Sequence, residues 1–264
     1  VMLARGVAVE RWARQDAELF FWCFGLHLGV PGAQNPEGDL LGHVVDTGAS
    51  ASDPTVRAYR TSANIAYHCD ARVVVGLPCL RRAPRGGASR IVSSVSVYNE
   101  IVRRRPDLVE LLYRPFLLDT HGEGGIDYFP IPPCRFADGV LRTFYHADYF
   151  RSVHVNARVP PLTAAQAELL DLYDEIALSP ELHLDMDFEP GDIQLLSNHV
   201  VLHARTAYVD APDPDKMRHL LRLWLSLDAR RSARQRLLAG LSGASLVRSL
   251  IAIRARRALR RRAA

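Results

Sequence analysis

The apolar residues of this chain fall into many short runs punctuated by Gly, Pro and Asp, and that punctuation limits the fold more than any other feature. Strands are expected at residues 40–45, within 62–80, among long loops in 114–145, and at 182–188, 193–203 and 218–227. Pro84-Arg85-Gly86-Gly87 and Pro190-Gly191-Asp192 read as turns. Residues 91–97 fit a strand or the start of a helix. Helices are expected at 8–24, at 98–105 up to Pro106, at 107–113 and at 163–177. The last is the clearest. Thr163 and Gln166 form a capping box, and Leu169, Leu170, Leu172, Tyr173 and Ile176 make one stripe. Short strands outnumbering helices predict an all-β sandwich or barrel with helical additions.

Composition removes several other classes. With 48% apolar and 23% charged residues, a 264-residue chain buries a core easily and is not a disordered protein. Cys23, Cys69, Cys79 and Cys134 are too sparse for a disulfide scaffold and show no C-x-x-C spacing, so a reducing cytoplasm is the expected setting. The longest apolar stretch, residues 19–26, is far short of the ~20 residues a membrane span needs. The first residues have no signal-peptide layout. Charge is distributed unevenly. Eleven Arg follow Asp228 with no acid among them, and subtracting them from the net +4 leaves −7 for residues 1–228. The expected organisation is one domain over 1–228, whose loop-rich 29–61 segment is a candidate active-site lid, and an Arg-rich helical tail over 229–264.

Histidines are the first candidates for chemistry. On a strand, ligands at i and i+2 share a face. Four pairs have that spacing: His68/Asp70, His121/Glu123, His146/Asp148 and His183/Asp185. Any one alone reads as a surface histidine beside an acid. His121 lies in a Gly-rich loop, His183 lies on a strand of alternating acids, and His146 lies among bulky aromatics. His68/Asp70 ends a strand that opens at Asn64. Further on, the turn at Pro190 launches an apolar strand ending in His203, where His199, Val201 and His203 share a face on a period of two. His199 therefore competes with His203, although it reads better as a structural histidine. On the next strand Arg218, Leu220, Arg222 and Trp224 share a face. Two guanidiniums on so apolar a strand must meet anions, either internal acids or a bound ligand. Tyr67, Cys69 and Trp224 read as packing.

Together, His68-Cys69-Asp70, Gly86-Gly87-Ala88-Ser89, the stretch from Pro190 through Asn198 to His203, and Arg218-x3-Arg222 resemble the Fe(II)- and 2-oxoglutarate-dependent dioxygenases of the TauD/TfdA family. The likeness covers roughly residues 25–227. It implies a mainly β fold with flanking helices around a double-stranded β-helix (jelly-roll) core. It also implies that His68, Asp70 and His203 bind Fe(II). Arg218 would hold the far carboxylate of 2-oxoglutarate, helped by Ser89 where the family often has Thr. Arg222 and Asn64 fall where some members contact substrate. Two imidazoles and one carboxylate on a single face of iron leave three positions for 2-oxoglutarate and O2. The products are succinate, CO2 and an oxidised substrate. Asp70 is the carboxylate that a halogenating relative lacks, which points to hydroxylation or a related oxidation, since relatives desaturate or close rings with the same ligands.

The reading is thus an oxygenase of a small organic molecule, a carboxylate or amino-acid-like compound if Arg222 contacts it, from secondary metabolism or catabolism. A second reading, from another class, is a jelly-roll binding or interaction protein without redox chemistry that works through the Arg-rich tail. The tail has apolar residues at Leu246, Leu250, Ile251, Ile253 and Leu259 between its Arg, and is expected to pack on the domain or on a second subunit. A homo-oligomer is thereby left open. No aromatic residue is interleaved there, so nucleic acid is not an expected partner.

Overall fold

The computed structural model describes residues 1–50, 56–121, 125–137, 139–156 and 159–227. The tail expected over 229–264 lies outside the described residues. Numbered along the described residues, the strands are β1 (Met2–Ala4), β2 (Val30–Pro31), β3 (Leu41–Val44), β4 (Ile65–His68), β5 (Val74–Arg81), β6 (Arg85–Gly86), β7 (Ser89–Ser93), β8 (Phe116–Asp119), β9 (Tyr128–Ile131), β10 (Cys134–Ala137), β11 (Val140–Thr143), β12 (His183–Met186), β13 (Ile193–Ser197), β14 (Val201–Arg205), β15 (Tyr208–Val209) and β16 (His219–Ser226). The α-helices are α1 (Arg14–Leu28), α2 (Ser94–Arg104), α3 (Ala147–Ser152) and α4 (Ala164–Ala177).

Two antiparallel sheets form the core. One runs β1-β13-β5-β16-β2, with β3 also on β16, and the other runs β12-β7-β14-β4. Successive strands β3, β4, β5 and β7 alternate between the sheets, and β12, β13, β14 and β16 do so again. That winding is the jelly roll, with its sheets facing but not closed into a barrel. Period-two patterning explains why the layers stack. On β16, Leu221, Leu223 and Leu225 face outward and bury Ala17 and Phe21 of α1. Each such fully buried side chain contributes about 1.5–3 kcal/mol. The alternate residues face inward. Val75, Ile91 and Leu196, from three strands of both sheets, meet Val201 and Trp224 there.

The second sheet is covered by α2 and α4. Ser93 caps α2 by accepting from the Ser96 backbone N–H at 3.2 Å. The expected capping box holds the start of α4, whose Leu169, Leu170, Tyr173 and Ile176 are buried. The hairpins β8-β9 and β10-β11 complete that layer.

Several boundaries differ from the sequence expectation. Residues 193–203 are not one strand. Ile193–Ser197 pairs with β5, whereas Val201–Arg205 pairs with β7. A turn closed by Val200 N–H donating to Ser197 O (3.1 Å) carries the chain from one sheet to the other. His199 sits in that turn and so does not share a strand face with His203. Residues 106–113 form a 3-10 helix. Residues 91–97 divide between the end of β7 and the start of α2.

Candidate active site

The second sheet brings the distant ligand candidates together. His203 of β14 is the direct cross-strand partner of His68 at the end of β4. Their ring centroids are 4.2 Å apart. Asp70 lies two residues past β4, with Oδ1 at 3.8 Å from His68 Nε2 and Oδ2 at 3.5 Å from His203 Nε2. One ligand atom from each of the three lies within 4.8 Å of the others, and they are the single group of three or more His, Cys, Asp or Glu so arranged among the described residues. His183 and Asp185 pair with each other elsewhere, at 3.5 Å. His146 does approach: it bridges to His68 through the backbone, and the two rings are 5.1 Å apart.

Asn198 locks this geometry. Its side chain is fully buried, 0% exposed. Oδ1 accepts from the Asp70 backbone N–H at 2.9 Å, while Nδ2 donates to the Asp70 carbonyl and to Arg72 O at 2.7 Å. The turn between β13 and β14 is thereby fastened to the loop that carries Asp70.

Electrostatics favour cation ligation. Burial first, then the charge of His203, push His68 down to about 4, so its imidazole is neutral at neutral pH. His68 Nδ1 lies 2.9 Å from Ala66 O, which orients the ring with Nε2 toward Asp70. Burial opposes ionisation of Asp70. The His203 hydrogen bond and the Arg222, His203 and His68 charges outweigh it, and the carboxyl is held well below the usual carboxylate range. Trp224 Nε1 donates to Asp70 Oδ2 at 2.8 Å. Trp224 shares the strand face of Arg218 and Arg222, as the period of two predicts, and is a hydrogen-bond donor to the site as well as a packing residue.

Beside the triad lies a small cavity lined by His68, His203, Ser89, Arg205, Arg218 and Arg222, with Leu77, Phe188 and Leu220 among its apolar residues. Arg218 is 3% exposed, and its Nη1 has no hydrogen-bond partner among the described residues. Gly87, at φ +78°, allows the approach of Arg218: a Cβ there would lie 3.0 Å from its Nε. Ser89 Oγ accepts from Gln194 Nε2 at 3.3 Å. Arg222 is held by Gln34, whose Oε1 accepts from Nε at 2.7 Å. Its guanidinium lies over the rings of Tyr59 and Trp224, 4.7 Å from each. The 29–61 segment thus supplies Gln34 and Tyr59, which no local sequence signal marks. Asn64 is exposed just before β4 and is not among the residues lining this cavity. Cys69 and Tyr67 are buried in the helical layer as expected, and burial raises the Cys69 thiol to about 12.

Orphaned buried guanidinium atoms, two histidines and a carboxylate on a jelly roll fit a mononuclear iron and a 2-oxo acid. That arrangement defines a non-haem Fe(II)/2-oxoglutarate oxygenase. Residues 1–224 match the family described as "Taurine catabolism dioxygenase TauD, TfdA family", and the chain belongs to it. FR-33289 synthase of Streptomyces rubellomurinus is 33% identical over 86% of this chain and 68% of its own length. Taurine hydroxylase-like protein SAT17 of Stachybotrys chartarum is 30% identical over 84% of this chain, which spans only 60% of that relative. An asparagine oxygenase solved with Fe(II), 2S,3S-3-hydroxyasparagine and succinate shares the fold, with a TM-score of 0.65 and 19% identity over 83% of this chain and 66% of that one.

Proposed function

We propose that this protein hydroxylates a small anionic organic substrate, a carboxylate or amino-acid-like compound, with 2-oxoglutarate as co-substrate. The observation that carries the reading is the convergence of His68, Asp70 and His203 beside a buried Arg218 whose Nη1 has no hydrogen-bond partner among the described residues. In it, His68, Asp70 and His203 hold Fe(II). When bound, the iron couples O2 and the decarboxylation of 2-oxoglutarate to oxidation of the substrate, with release of succinate and CO2. The protein's own groups bind and orient. Asp70 contributes the one negative charge among the three ligands, kept ionised by Arg222 and aimed by Trp224. Arg218 and Ser89 orient the far carboxylate of 2-oxoglutarate. Arg222, fixed by Gln34 between two aromatic rings, keeps N–H groups free for an anionic group on the substrate. Leu77, Phe188 and Leu220 keep water from the oxidising centre. The working compartment in this reading is the cytoplasm.

Anaerobic addition of Fe(II) and 2-oxoglutarate should give a visible charge-transfer band, and His203→Ala should abolish it. Exposure to O2 should then release succinate. Absence of the band from the wild-type protein, with Fe(II) binding intact, would overturn the assignment.

A further inference from the structure

Arg205 has a stronger claim to a role than its place in the sequence suggests. It ends β14, two residues beyond His203, and is only 6% exposed. Its Nη2 donates to Thr61 O at 2.7 Å and to Ala63 O. Its Nε and Nη1 are buried and have no hydrogen-bond partner among the described residues, and the same holds for Arg218 Nη1. Both guanidiniums lie over the ring of Tyr208, at 4.8 Å for Arg205 and 5.1 Å for Arg218, and both line the cavity beside the triad. Asp46 acts on Arg205 and Asp210 on Arg218, yet neither guanidinium forms an ion pair within 4.0 Å among the described residues. Two adjacent buried cations with spare donors form an incomplete ion cluster, which an anion completes. Carboxylate oxygens accept from several N–H donors at once, so one carboxylate fits between two guanidiniums.

We propose that Arg205 is a second guanidinium of the subsite for the distal carboxylate of 2-oxoglutarate, and that it couples occupancy of this subsite to the Thr61–Ala63 segment entering β4. The inference rests on the co-substrate reading above. The segment is secured from the same side, because Tyr208 N–H donates to Ser62 O at 3.0 Å. A carboxylate that fixes the Arg205 guanidinium therefore fixes the carbonyls leading to His68.

The test uses the full chain loaded with Fe(II), without O2, and two 2-oxo acids of equal length. One is 2-oxoglutarate; the other is 2-oxopentanoate, which lacks the distal carboxylate. By calorimetry the wild type should favour 2-oxoglutarate. Arg205→Gln should lose affinity for it by about 10- to 100-fold, the range of hydrogen bonds to charged groups, and keep its affinity for 2-oxopentanoate. Arg205→Lys should recover part of the loss. If Arg218→Gln erases the preference and Arg205→Gln retains it, the role of Arg205 is overturned and the co-substrate reading stands. If the wild type does not distinguish the two acids, the co-substrate reading falls and the proposal with it. Hydrogen exchange on the wild type needs no variant to fold. Backbone amides of residues 61–66 should be slowed more by 2-oxoglutarate than by 2-oxopentanoate, and equal slowing overturns the coupling.

Discussion

Two histidine pairs sit across neighbouring strands of this jelly roll, and their surroundings set them apart. In the second sheet, His68 and His203 lie opposite one another with both Nε2 atoms near the Asp70 carboxylate. In the first sheet, His43 of β3 and His219 of β16 are hydrogen bonded to each other, Nδ1 to Nε2, at 2.9 Å. Their nearest acid, Glu18, is 4.0 Å from the far nitrogen of His43. One pair spends its lone pairs on itself; the other aims them at a shared point with an anion beside it. Proximity of imidazoles is therefore no sign of a metal centre. A third ligand within reach of the same point is.

Four experiments probe that contrast, beginning with the largest effect. His203→Ala or Asp70→Asn should weaken Fe(II) binding by more than about 100-fold, beyond the usual consequence of losing an outer partner. His219→Asn should leave Fe(II) binding unchanged in the same anaerobic titration. Next, Asn198→Ala strands the buried N–H of Asp70 and two carbonyls, and should destabilise the fold by about 3 kcal/mol or more in urea unfolding. Third, Trp224→Phe keeps the ring but removes the hydrogen bond to Asp70. It should reduce Fe(II) affinity by about 10-fold with little change in stability. The smallest effect belongs to the other pair. Burial, then the charge of His43, lowers His219 to about 4. The unfolded chain takes up that proton near pH ~6.5, so stability is complete above this value and is lost as the pH falls toward about 4. For His219 the loss between about pH 7 and 5.5 should be about 1 kcal/mol, and His219→Phe should remove that share of the slope in unfolding measured across the range.

Much of the site was legible because strands have a local period. His68 and Asp70 are two residues apart, and Arg218, Leu220, Arg222 and Trp224 alternate on one face, so chain geometry alone groups them. The same logic failed for His199. Its apparent period with His203 crosses a turn that changes sheets, and the turn-favouring Ser197-Asn198 pair is a short signal inside an otherwise apolar run. Asn64 rests on the family resemblance alone: it is exposed ahead of β4, outside the residues that line the cavity, and loops do not hold spacing in three dimensions.

Residue types, their alternation along single strands and the placing of two Arg on one face of an apolar strand were fixed by the order of amino acids, since each depends on neighbours a few positions away. Which strand lies beside which was settled by packing. His68 meets His203, Gln34 holds Arg222, Trp224 reaches Asp70 and Arg205 reaches Thr61 only because two sheets fold face to face. Such contacts link residues up to 188 positions apart, and their energies are realised only once the interior has excluded water.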